Sequence, residues 1–230
     1  MFWIIFIGFL LLSWLVSYRL KSKFKKYSQI PLQSGMSGAE VARQMLRDNR
    51  IYDVEVTHVP GQLTDHYNPA NKTVNLSEGV YHGRSAAAAA IAAHECGHAV
   101  QHATAYSFLE MRSAMVPVQN ASSKILNFVF IFSFIGGVFF MGFPYEIVLL
   151  IIIACYAIIS LFSVITLPVE LDASKRALAW INDKGVVNAS EYDVSKDALK
   201  WAALTYVVAA LSSISFLIYY VLQYIGLSDD

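Results

Sequence analysis

The sequence predicts a mainly α membrane protein, with about four transmembrane helices and one cytoplasmic α+β domain, and three observations lead there. Apolar residues make up 56% of the chain against 15% charged, and the mean hydropathy is positive, a composition that belongs to membrane proteins. Four segments, 2–18, 125–145, 147–169 and 201–228, carry no Asp, Glu, Lys or Arg, and each approaches the roughly 17–25 apolar residues that cross a bilayer. Between the first and second lies a polar stretch that mixes helix and strand patterning and holds no low-complexity tract. The net charge is zero and no basic aromatic patch stands outside the block next to the first span, which excludes nucleic acid as a partner.

Residues 1–18 are expected to be a transmembrane anchor and not a cleaved leader, because no basic residue precedes the apolar run and no A-x-A-like site closes it. The positive charge follows it instead, in Arg19, Lys21, Lys23, Lys25 and Lys26. By the positive-inside rule that end is cytoplasmic and the N-terminus is outside; attraction to anionic lipid is a compatible extra. Residues 19–124 then form the cytoplasmic domain. Residues 125–169 form a helical hairpin turning at Gly142-Phe143-Pro144-Tyr145-Glu146, and 170–200 return to the cytoplasm. Residues 201–230 make the last span, with Asp229-Asp230 outside.

Within the domain, 29–36 read as a loop, and Ser37-Gly38-Ala39-Glu40 as a capping box opening a helix to about Asn49. Residues 52–58 alternate as a strand, Pro60-Gly61 and Asn68-Pro69-Ala70-Asn71 mark turns, and 73–76 read as a second strand. A helix then begins near Arg84-Ser85 and runs well past His98. Its stretch 86–93 is apolar but short and Ala-rich, which favours burial against the domain or the hairpin over a fifth span. Residues 169–184 read as an amphipathic helix at the membrane surface stopped by Gly185, and Ser195 as the cap of the final helix. The small residues Ala202, Ala203, Ala209, Ala210, Ser212 and Ser213 give that last helix a packing face.

The chemistry concentrates in His94-Glu95-Cys96-Gly97-His98. Residues four apart share one face of a helix, so His94 and His98 can grip one Zn2+, and Glu95 beside them is a candidate base for a zinc-bound water. Gly97, between the ligand positions, would let another backbone approach. Cys96 falls between the imidazoles and reads as a small buried thiol; a disulfide with Cys155, which the span assignment puts in mid-membrane, is not expected.

A catalytic zinc site wants a third protein ligand. His102 continues the face, yet it lies about 12 Å from His94 along a helix axis, too far to share the ion. The metzincin pattern fails at Gln101 and Thr104, and no span carries the Asp that a site-2 protease uses. Glu170, in Leu167-Pro168-Val169-Glu170-Leu171-Asp172-Ala173-Ser174, is the best candidate. On local evidence alone, a surface carboxylate at a helix start just after Pro168 is an equal reading.

These residues resemble the YugP-like bacterial membrane zinc metallopeptidases, relatives in outline of membrane gluzincins such as the HtpX heat-shock peptidases and the CAAX prenyl endopeptidases. The resemblance is carried by Asp65-His66-Tyr67-Asn68-Pro69, by Thr73-Val74-Asn75-Leu76-Ser77-Glu78, by Gly83-Arg84-Ser85 leading into Ala92-Ala93-His94-Glu95-Cys96-Gly97-His98-Ala99-Val100-Gln101-His102, and by the segment around Glu170. It implies a zincin-like metallopeptidase domain in a multi-pass protein of the bacterial plasma membrane. It also implies one Zn2+ held by His94, His98 and Glu170, with Glu95 activating the water. HtpX-type enzymes often carry an Asp four residues after the ligand Glu, where this chain has Ser174, and Asp172 is expected off that face.

The activity then expected is peptide-bond hydrolysis at the cytoplasmic membrane face, Glu95 taking the water's proton and passing it to the leaving amine. His66, Tyr67, Tyr106 and Tyr192 are the candidates for stabilising the oxyanion, and His102 for packing or for steadying the ligands. The partners expected are a protein or peptide substrate, the lipid bilayer, and a membrane-protein partner or second copy. The alternative from another class is a catalytically silent membrane scaffold that keeps the fold; an intact Glu95 argues against it.

Overall fold

The computed structural model describes residues 1–135 and 144–228. It is mostly helical, with a small sheet. Among the described residues, three helices are long and apolar enough to cross a membrane: α1 (Phe2–Tyr27), α6 (Tyr145–Asp183) and α7 (Ala189–Ser228), the last over Ala189–Gly226. The expected second span, 125–145, lies partly in α5 (Ser107–Ile135), and its last residue, Tyr145, opens α6; residues 136–143, with Gly142 and Phe143 of the expected turn, are outside the described residues, as are Asp229 and Asp230.

The chain divides into two compact units. The first comprises Met1–Trp14, Met111–Leu167 and Tyr206–Asp230. Leu126, Leu149, Ile152, Cys155, Phe216 and Tyr220 are buried there, and the rings of Tyr156 and Phe216 stack at 5.6 Å. The second comprises Leu15–Glu110 and Pro168–Thr205, and it holds every residue of the H-E-x-x-H segment and of the segment from Pro168 to Ser174.

In the second unit the capping box forms as written in the sequence. Helix α2 (Gly38–Asp48) starts at Ser37, whose hydroxyl accepts the Glu40 N–H at 3.3 Å while the Glu40 carboxylate accepts the Ser37 N–H at 2.7 Å. The strands are β1 (Glu55–Val59), β2 (His66–Asn68) and β3 (Thr73–Ser77), in the order β1-β3-β2, with β1 parallel and β2 antiparallel to the central β3. Strand β2 is absent from the sequence reading, where 68–71 register only as a turn. It is held by its neighbours, since Asp65 at its entrance accepts both the backbone N–H of Ser77 at 2.7 Å and its hydroxyl at 3.0 Å. After the single turn α3 (Glu78–Tyr81) comes the motif helix α4 (Ala86–Ala103), capped by Ser85, whose hydroxyl accepts the Ala88 N–H.

Helix α4 is buried nearly all round. Seven of its alanines, from Ala86 to Ala93, are 0–1% exposed; six sit in the unit's hydrophobic core with Val41, Met45, Val74, Leu76 and Val80, and Ala87 packs with Tyr27 and Ala198. A helix with so little polar surface is a core element, so the expectation of burial over a fifth span holds.

Two helix boundaries differ from the sequence reading. Helix α6 runs unbroken through Pro168, so Glu170 is in mid-helix and not at a helix start. Helix α7 begins at Ala189, not near Ser195: Asn188 and Glu191 form a second capping box at 2.8 and 2.9 Å, while Ser195 is fully buried inside the helix and donates to the Ala86 carbonyl. Gly185 does close α6, with φ +62° and its N–H on the Asn182 carbonyl, a left-handed geometry that favours glycine.

Glu191 is 4% exposed and also accepts the Gln33 N–H at 2.7 Å, tying down the 29–36 loop. Replacing it strands two backbone donors, so Glu191→Ala is expected to cost about 1–3 kcal/mol per donor left unpaired, against about 1 kcal/mol for Ser37→Ala. Denaturation midpoints of the two variants in detergent check this order.

Candidate metal centre

The close approach of two helices makes this site. On α6, Val169, Ala173, Ala177 and Ile181 recur at four-residue spacing and are all 0% exposed, so this face is the packed one. On α4 the facing residue is Gly97. A Cβ built there would stand 2.7 Å from the Ala173 carbonyl oxygen, so the helices pass with backbone against backbone, as the Gly at this position suggested. Glu170 lies one residue from Val169 and is carried in with it, 2% exposed.

The result is a converging set of donors. His94 Nε2 lies 3.3 Å and His98 Nε2 3.6 Å from the same Glu170 oxygen, Oε2. The two imidazole rings are 4.8 Å apart at 80°. One ligand atom from each of the three residues falls within 4.8 Å of the others, and among the described residues no other group of three His, Cys, Asp or Glu side chains does so. Two imidazole nitrogens and one carboxylate oxygen leave a fourth position open in a tetrahedral set, the donor chemistry of a catalytic zinc site. The residues present therefore fit the ion.

Each imidazole is held from behind. Ser174 Oγ is 3.1 Å from His94 Nδ1, and Gln101 Oε1 is 3.0 Å from His98 Nδ1. Ser174 thus stands where HtpX-type enzymes carry Asp. Asp172, expected off the face, reaches the site through Gln101 and also accepts from Arg176 Nε at 2.5 Å. Gln101 is the residue that the sequence reading missed. Its signal was available: a polar residue three positions after His98, on the buried side of the motif helix.

Glu95 is 8% exposed, and its Oε2 accepts the backbone N–H of Tyr67 at 3.0 Å. That N–H points away from β3, so Tyr67 lies on the free edge of β2 with its main chain turned toward the motif helix. The other predicted residues are dispersed. Tyr67 Oη pairs with His102 Nδ1 at 2.8 Å, which gives His102 a bracing role between β2 and α4. His66 is exposed, its Nδ1 2.8 Å from the Thr64 carbonyl. The Tyr106 ring lies 5.8 Å from the Arg176 guanidinium. Tyr192 packs on the hydrophobic core. Cys96 is fully buried against the Ala42 carbonyl, and burial pushes its thiol well up; Cys96 and Cys155 are both free.

A family model described as "putative neutral zinc metallopeptidase" matches residues 2–225. The chain belongs to that family. Among curated proteins it is similar to the "putative membrane protease YugP" of Bacillus subtilis (strain 168), 42% identical over 219 residues that cover 95% of this chain and 94% of the relative. No solved structure matches. Membership and the geometry agree on the metal: the family is named for zinc, and this chain gathers a His, His, Glu set that could hold it.

Burial pushes the His98 imidazole down, but the Glu170 carboxylate beside it more than offsets that, and the group's pKa ends above its ordinary 6.5. Without metal, the stabilising pair is therefore fully present below pH 6.5 and is lost as pH rises through the raised value. Zinc must displace that proton. Melting of the metal-free protein should fall as pH rises above 6.5 and through the raised value, while apparent zinc affinity rises with it. Gly97→Ala adds a methyl where the Ala173 backbone cannot yield. It is expected to cost about 1–3 kcal/mol and to loosen zinc, read as melting temperature and zinc per chain.

Proposed function

We propose that the chain is an integral-membrane zinc-dependent endopeptidase of gluzincin type, with His94, His98 and Glu170 as ligands and Glu95 as the catalytic base. The observation that carries this reading is the convergence of both imidazole Nε2 atoms on one Glu170 oxygen, with Glu95 next to them in the chain. Zinc, when bound, supplies the Lewis acidity that makes water nucleophilic near neutral pH and polarises a carbonyl. The protein's own part is distributed over the residues around it.

Glu95 accepts the proton of the attacking water and returns it to the leaving amine, a role open to a carboxylate held at one oxygen by the Tyr67 N–H and fixed on a buried helix. Ser174 and Gln101 hold the two imidazoles from their Nδ1 sides. Membership in a peptidase family supports a protein or peptide substrate. The basic block Arg19 to Lys26 supports an N-terminus outside and an active site on the cytoplasmic side.

Detergent-purified protein is expected to hold about one zinc per chain. Glu95→Gln should keep the zinc yet lower peptide hydrolysis by about 10²–10⁴-fold, whereas His98→Ala and Glu170→Ala should lose the metal. Zinc retained in full by Glu170→Ala, or hydrolysis unchanged in Glu95→Gln, would sink the assignment. Sidedness has its own check, since a cysteine-reactive tag placed among residues 21–26 should be protected from impermeant reagent in intact cells.

A further inference from the structure

We propose that Gln101 is a positioning residue that dictates which nitrogen of His98 faces the metal, and that Asp172 and Arg176 exist in the site to hold Gln101 in the one orientation that does so. The proposal rests on the zinc-ligand reading above and adds a residue role to it.

Gln101 is fully buried, and one terminal atom of its side-chain amide has two partners on α6: the backbone carbonyl of Val169 at 2.8 Å and the Asp172 carboxylate oxygen Oδ2 at 2.9 Å. A carbonyl oxygen only accepts, and Asp172 Oδ2 already accepts from Arg176 Nε. An amide oxygen in that place would face two acceptors, so the atom there is the NH2 group, which has two protons and two acceptors for them. The other amide atom is then the oxygen. It lies 3.0 Å from His98 Nδ1, and since an amide oxygen cannot donate, Nδ1 must carry a proton. In the neutral imidazole this leaves Nε2 with its lone pair free, and Nε2 is the atom turned to Glu170 and to the metal position.

Ser174 on His94 is a different case. A hydroxyl both donates and accepts, so Ser174 accommodates either tautomer and dictates neither. The tautomeric control is thus built at His98 alone. The chain of contacts runs from His98 through Gln101 and Asp172 to Arg176, whose guanidinium lies over the Tyr106 ring, while the Tyr106 N–H donates to the backbone carbonyl of Gln101 at 2.9 Å. The same side chain also bonds α4 to α6 directly, so a merely structural role has to be separated by the test.

The test compares full-length protein in detergent, unmodified and as Gln101→Leu and His98→Ala, by competition of zinc against a chromophoric chelator, with melting of the zinc-free forms in parallel. Removing such a support is expected to weaken zinc binding about 10–100-fold in Gln101→Leu. A Gln101→Leu variant that melts lower but binds zinc within about twofold of the unmodified chain would reduce Gln101 to a helix clasp and overturn the proposal.

If Gln101→Leu does not fold, the unmodified chain decides the matter. With ¹⁵N-labelled histidine and zinc bound, His98 should show a protected Nδ1 proton and metal on Nε2; the reverse assignment refutes the idea. Zinc absent from the unmodified chain would refute the underlying metal-site reading, and this proposal with it. Zinc bound by the unmodified chain, lost in His98→Ala and untouched in Gln101→Leu, would refute the proposal alone.

Discussion

The site depends on one steric fact, that α4 and α6 meet at Gly97 and Ala173 with nothing between their backbones. Interhelical spacing is set by the side chains at the crossing point, and here one partner has none. This brings Glu170 to within 3.3 Å of His94 and 3.6 Å of His98, close enough for three side chains to share an ion. The seven buried alanines that precede His94 serve the same end, because they let α4 lie deep in its unit among α2, α3 and the sheet.

Burial at this depth sets terms for every polar group. Gln101 is fully buried and both ends of its amide are satisfied; Glu191, 4% exposed, accepts from two backbone N–H groups; Asp65 accepts from both the backbone and the hydroxyl of Ser77. Each of these would cost free energy if left unpaired. Their partners come from distant parts of the chain, so the polar contacts also register the elements against one another. Glu95 belongs to the same pattern: the Tyr67 N–H that fixes it comes from the edge strand, and the strand is braced in turn by Asp65 and by the Tyr67–His102 pair. The bond that fixes Glu95 also takes up the outward N–H of this short edge strand.

Local rules read well where local chemistry decides. The Ser37 and Ser85 caps, the Gly185 stop and the apolar runs of α1, α6 and α7 are legible because each rests on a few neighbouring residues. They fail where tertiary contacts compete. Pro168 reads as a helix start, yet α6 passes through it, since an apolar helix on one side and a packed face on the other hold the helix together across the missing N–H. Strand β2 has three residues and a turn sequence, and only its pairing with β3 makes it a strand. Ser195 has the type of a cap but the position of a core residue, and Asn188 with Glu191 takes the role because two reciprocal bonds outweigh one.

By itself the sequence determined the pair of imidazoles and the carboxylate beside them, because helical periodicity alone puts His94 and His98 on one face. It also determined that the chain is a membrane protein, since long runs of uncharged apolar residues have few other stable fates. It could not decide between Glu170 as ligand and Glu170 as surface carboxylate, nor find Gln101, nor give Ser174 and Asp172 their places. Those residues meet His94 and His98 only across the α4–α6 contact, with Ser174 and His94 standing 80 positions apart. Nothing local specifies such a meeting; it follows from the packing of two helices, and packing is a property of the whole fold.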